Sequence, residues 1–131
     1  MTLVDTNVWI AHFQKANEEL VELLNNWQVC IHPFVLGELS LGGIPNRTET
    51  LHLFRRLTVC KIATNAEVHH IIESHRLYGR GIGWVDANLL ASTLISNCRL
   101  WTRDRSLDAL AHDFDKSHTR PAATLQSASL A

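Results

Sequence analysis

Short apolar runs alternate along the chain with longer amphipathic stretches. Residues 2–4 form an apolar strand that ends at Asp5. Residues 7–13 read as a helix, with Val8, Trp9 and Phe13 close together. Asn17 suits a helix N-cap, and Glu18 and Glu19 favour the first turn of a helix that reaches residue 27. Leu20, Val21, Leu23, Leu24 and Trp27 supply its apolar stripe. Residues 29–31 are a second strand, and Pro33 opens a helix that Gly42 and Gly43 end. Residues 47–56 are amphipathic, residues 58–62 a third strand, and Asn65 is placed to cap a helix reaching residue 78. Gly79, Gly81 and Gly83 then interrupt the chain before an apolar helix over 85–96. A fourth strand over 99–101 and a last helix over 106–114 follow.

Strand and helix in alternation predict an α/β domain around a mostly parallel sheet. Ligands of such sheets sit beyond the carboxyl ends of the strands, where Asp5 and Asp104 fall. At 131 residues the chain has the size of one domain. We assign that domain to residues 1–119. From Arg120 the sequence thins into Ser, Ala and Thr, which suits a flexible tail over 120–131.

Charged residues make up 19%, and the net charge is −1 with histidine neutral, which excludes a strongly basic nucleic-acid binder. No run of 18 apolar residues and no basic leader is present, so neither a membrane span nor a signal peptide is expected. Cys30, Cys60 and Cys98 are far apart and form no metal or disulfide framework. They read as buried thiols of a cytoplasmic protein. His52, His69, His70 and His75 lie on polar stretches, whereas His12 and His32 suit the core or its rim.

The acids change the picture. Asp5 is the only acid in residues 1–14, Glu38 the only charged residue in 29–46, and Asp86 the only one in 81–98. By helical spacing Glu38 shares a face with Phe34, Val35 and Leu41, and Asp86 with Leu89 and Leu90. Buried carboxylates without a partner lose several kcal/mol (order of magnitude) to desolvation or take up a proton. One shared cation would resolve all of these conflicts, and oxygen ligands select Mg²⁺ or Mn²⁺. Asp5, Asp86 and Asp104 each have a second reading as a helix cap, and for Glu38 that reading is an ion pair from afar.

Asp5-Thr6-Asn7-Val8-Trp9 after a strand, Glu38 in a helix, Asp86-Ala87-Asn88-Leu89-Leu90-Ala91 opening a later helix, and Trp101-Thr102-Arg103-Asp104 at a strand end resemble PIN-domain ribonucleases. The closest type is the VapC toxins of bacterial toxin–antitoxin pairs. The resemblance spans residues 1–115. It implies a three-layer sandwich with a parallel sheet of four to five strands. It also implies that Asp5, Glu38, Asp86 and Asp104 bind Mg²⁺ or Mn²⁺, with a Mg²⁺-activated water attacking an RNA phosphodiester in line. Thr6, Asn7 and Thr102 match polar positions that support the acids. Arg80, Arg103 and Arg105 are candidate phosphate contacts, equally readable as surface arginines.

The family's toxins dimerise and are inhibited by a VapB-like antitoxin. Trp9, Phe13 and the stripe carrying Leu51 and Phe54 are candidates for such contacts, with core packing the favoured role. The family's fifth strand is expected to be short or absent, because residues 114–120 hold few β-branched apolar side chains. Asp108 reads as a solvated helix acid. Two other readings compete. A phosphatase of the aspartyl type needs a second Asp where Asn7 stands, and a receiver domain needs a lysine after its last strand. A non-catalytic PIN-like binding module would not need all four acids.

Overall fold

The computed structural model describes residues 1–119. The tail expected over 120–131 lies outside them. In chain order the elements are β1 (Thr2–Val4), α1 (Thr6–Gln14), α2 (Glu18–Asn25), β2 (Val29–Ile31), α3 (Pro33–Leu41) and α4 (Arg47–Arg56). They continue with β3 (Thr58–Val59), α5 (Asn65–His75), α6 (Trp84–Ser96), β4 (Arg99–Trp101) and α7 (Arg105–Asp113). The strands form one parallel sheet in the order β3-β2-β1-β4, flanked by the helices as an α/β sandwich.

Parallel strands covered on both faces should be apolar throughout. β2 is apolar throughout and β1 is so apart from Thr2, and every residue of both strands is buried. The core joins Leu3, Val4 and Leu100 of the sheet to Leu20, Val35, Leu39, Leu89, Leu90, Leu107 and Leu110 of the helices. Trp9 is 2% exposed and meets Phe54 edge-on at 4.8 Å, so these two and Leu51 are core residues rather than a partner surface.

Several ends differ from the sequence expectation, each for a local reason. β3 stops at Val59 instead of residue 62. After one more rung from Cys60 N–H to the Ile31 carbonyl, Lys61 N–H donates to Ser96 Oγ and Ala63 N–H to Ser92 Oγ. Two serines of α6 thus draw this segment off the sheet. The cap of α5 is Thr64, not Asn65: its hydroxyl accepts from Glu67 N–H while the Glu67 carboxylate accepts from Thr64 N–H. That helix ends at His75 rather than residue 78 because Arg76 turns left-handed (φ 52°) and Leu77 folds back to donate to the Ile72 carbonyl. Trp27, also left-handed, ends α2 early in the same way.

The fifth strand is reduced to one parallel bridge. Leu100 donates to the Lys116 carbonyl, and His118 donates to the Leu100 carbonyl, which sets Ser117 beside β4. Asp108 holds that segment by accepting from Ser117 Oγ at 2.6 Å. It is therefore a half-buried structural anchor, not the solvated acid expected from sequence. All three cysteines are free and buried. Burial pushes the Cys60 thiol up to about 11, and a hydrogen bond with Cys98 followed by burial pushes the Cys30 thiol up as well. Among the described residues no helix is long and apolar enough to cross a membrane.

Candidate metal centre

The site begins with strand register. Val4 pairs with Trp101, so the residues that leave β1 and β4 emerge side by side. Asp5 is the first residue past β1, and Thr102 the first past β4. Asp5 N–H donates to the Trp101 carbonyl, which fixes the carboxylate at this end of the sheet. Its Oδ1 accepts from Thr6 N–H at 2.7 Å, and its Oδ2 accepts from the Thr102 hydroxyl at 2.8 Å. Thr102 Oγ1 in turn accepts from Asp104 N–H at 3.1 Å and from Asn7 Nδ2 at 3.4 Å. Arg103 N–H donates to Asn7 Oδ1, closing the link between the two strand ends. Asn7 and Thr102 thus tie the end of β1 to the end of β4 through Asp5 and Asp104 N–H. The Thr6 hydroxyl is buried with no hydrogen-bond partner among the described residues.

Asp5, Asp86 and Asp104 all cap helices. Asp86 Oδ2 accepts from Gly83 N–H at 3.3 Å, and Asp104 Oδ1 accepts from Leu107 N–H at 2.9 Å. Capping does not account for their convergence. The Asp5 carboxyl, 7% exposed, is held above its ordinary value of 3.8 by burial. Hydrogen bonds from Thr102 and Thr6 oppose that shift, and the charges of Asp86 and Glu38 add to it. Asp86 is likewise raised, by burial first and then by Asp104 and Glu38 against the Gly83 hydrogen bond. Asp5 thus feels the charges of Asp86 and Glu38, Asp86 feels those of Asp104 and Glu38, and none of the four forms a salt bridge among the described residues.

One expectation is corrected. Glu38 is exposed rather than on the buried face of its helix. α3 is apolar nearly all round, and its buried residues are Val35 and Leu39. Phe34 and Leu41, which suggested a buried face for Glu38, are themselves 40% and 92% exposed. Glu38 is nonetheless close enough to raise both Asp5 and Asp86.

Oxygen-only donors of high negative charge match a hard dication in kind, and the partnerless Thr6 hydroxyl adds a neutral oxygen beside them. Among the described residues no three His, Cys, Asp or Glu side chains are grouped closely enough to hold a metal ion. Charge repulsion acts over several ångströms, whereas Mg²⁺–oxygen bonds are about 2.1 Å long. Mutual repulsion and an exposed Glu38 are consistent with an open cluster.

The arginines divide. Arg80 is paired with Asp113 at 3.3 Å. Arg103 and Arg105 are exposed and make no ion pair among the described residues. His32, at the end of β2, is wholly buried and caps α3, accepting from Phe34 N–H with Nδ1. The sequence left His32 open between core and rim. It contained no cue to a cavity beside Glu38, because α1, α3 and the turn after α3 line it jointly.

Comparison with known proteins identifies the family. The family model described as PIN domain matches residues 2–113. The chain is 47% identical over 110 residues to Ribonuclease VapC32 of Mycobacterium tuberculosis, strains CDC 1551 / Oshkosh and ATCC 25618 / H37Rv, covering 83% of this chain and 89% of each relative. The crystal structure of PAE2754 from Pyrobaculum aerophilum superposes with a TM-score of 0.52 at 18% identity, over 82% of this chain and 77% of that one. That likeness concerns the fold alone.

Proposed function

The chain belongs to the PIN-domain family and is of the VapC type, and from that premise we propose that it is a divalent-metal-dependent endoribonuclease acting as a toxin. The observation that carries the reading is the electrostatic frustration of Asp5. It is a buried carboxylate, raised by burial, near Asp86 and Glu38 and without a salt bridge among the described residues. A structural cap gains nothing from such neighbours. A cation site does.

Asp5, Glu38, Asp86 and Asp104 would hold Mg²⁺ or Mn²⁺. Such an ion, when bound, supplies Lewis acidity towards a phosphodiester. The protein does the rest. Thr102 and Thr6 N–H orient the two oxygens of Asp5, and Asn7 ties the β1 end to the β4 end. Helix caps fix Asp86 and Asp104 in one rotamer each. Glu38, exposed on α3, is free to rotate toward an incoming substrate. Arg103 and Arg105 supply cationic charge for RNA phosphates next to Asp104.

A VapB-like antitoxin and a homodimer are part of the same reading, in a cytoplasmic setting. An apolar groove of about 420 Å³ between α1, the end of α2 and α4, with Phe13, Trp27 and Leu53 on its walls, suits a segment of the antitoxin. Incubating single-stranded RNA with the protein and Mg²⁺, with and without EDTA, tests the reading. Cleavage that needs Mg²⁺ and disappears in Asp5→Asn supports it. Cleavage that persists in EDTA refutes it.

A further inference from the structure

α1 presents Thr6, Ile10 and Gln14 at every fourth residue, so one stripe runs from the acids to the far end of the helix. α3 packs against α1 and brings Glu38 alongside. Between them and the turn at residues 42–45 lies an open cavity of about 380 Å³. Ile10, Phe13, Leu39, Ile44 and Pro45 give it apolar walls, and among the described residues Glu38 and Gln14 are its only polar side chains. The turn is braced from behind: Arg47 donates to the carbonyls of Gly42 and Ser40. The Gln14 side chain is exposed and has no hydrogen-bond partner among the described residues.

We propose that this cavity is a nucleobase subsite, seating one base of single-stranded RNA next to the phosphate held at the acids, with the Gln14 amide reading the edge of that base. The proposal rests on the ribonuclease reading above. The cavity is continuous with the acids, because Glu38 belongs to both. Its volume falls within the range of small-ligand pockets. Apolar walls that include the Phe13 ring suit the faces of a base, and a side-chain amide offers the donor and acceptor that base edges require. Among the described residues no lysine or arginine lines it, which disfavours a phosphate there. A protein segment seated here would bury the Glu38 carboxylate against apolar surface, an unfavourable arrangement without a partner charge.

The test uses the full chain, with labelled octamers of rA, rC, rG and rU in EDTA for binding. A random RNA pool cut in Mg²⁺, with the new ends sequenced, reports cleavage. Wild type is expected to favour one base in both measurements. Gln14→Ala should flatten that preference about tenfold at a single position relative to the cut. Ile10→Ala should weaken all four octamers with the order of preference kept. Both positions are exposed, and thermal melts confirm that the variants fold. A Gln14→Ala base profile identical to wild type overturns the subsite. So does a shift in sedimentation by either variant with the base profile unchanged, which would assign the cavity to a contact between copies. Base-selective binding in EDTA without any metal-dependent cleavage would instead remove the ribonuclease reading and leave the subsite.

Discussion

Thr102→Val isolates the polar joint beneath the acids. Valine keeps the shape of threonine, so the change removes a hydroxyl without opening a cavity. That hydroxyl donates to the buried Asp5 carboxylate at 2.8 Å and accepts from Asp104 N–H at 3.1 Å and from Asn7. A hydrogen bond to a charged group contributes about 1.5–3 kcal/mol, and a neutral one about 1 kcal/mol. Asp5 is only 7% exposed, so water replaces the lost bond poorly. We expect a loss of about 2–3 kcal/mol, which for a domain of this size lowers Tm by roughly 10 °C. Thermal and urea unfolding followed by circular dichroism measure it, with Thr102→Ser as the variant that keeps the hydroxyl. The pH dependence adds a second check. The Thr102 bond lowers the Asp5 pKa against the stronger effect of burial, so its contribution belongs to the ionised form. The deficit should therefore be full at neutral pH and shrink as pH falls through the titration of Asp5, which lies above 3.8. A Thr102→Val protein within about 0.5 kcal/mol of wild type at pH 7 would refute the reasoning.

Three further expectations follow from single contacts. The wholly buried His32 is lowered below its ordinary 6.5 by burial, so the unfolded chain takes up the proton first and stability falls as pH drops below about 6.5. His32→Asn, which retains a capping oxygen, should reduce that slope in unfolding curves between pH 7 and pH 5, leaving the part due to His12, which burial also lowers. Gly81 sits at φ +80°, and an added Cβ would lie 3.1 Å from Ser106 Oγ. Gly81→Ala should cost about 1–2 kcal/mol, whereas Gly83→Ala, with ordinary φ and open space, should cost far less by the same melts. Arg103→Ala should reduce the slope of log affinity for single-stranded RNA against log salt by about 0.7 in fluorescence anisotropy, and Arg80→Ala, whose charge is engaged by Asp113, by less.

Sequence pattern carried the fold where periodicity and end signals were strong. The β1 and β4 strands, Asn17 as a cap and Pro33 as a helix start stand where the residues put them. It failed where an end depends on distant partners. Nothing local to residues 60–63 announces that Ser92 and Ser96 will take their N–H groups. Nothing local to Asp108 announces Ser117. Among the acids, isolation in an apolar window singled out Asp5 and Asp86, and both are raised by burial. The same argument misplaced Glu38, because a helix apolar on nearly every side has no face that spacing can identify. Asp104 came from its strand end and from family likeness, and its half-buried cap geometry shows why lone-acid reasoning passed over it.

The central claim is that these carboxylates form one cation site. Thermal melts in rising Mn²⁺, against the same series with Asp5→Asn and Asp86→Asn, test it without any substrate. An ion that binds only the folded site raises stability by about 2.7 kcal/mol at one hundred times its Kd. The account predicts a Tm that climbs with Mn²⁺ in wild type and stays flat in both variants. A wild-type Tm indifferent to Mn²⁺, or one that climbs equally in Asp5→Asn, would contradict it.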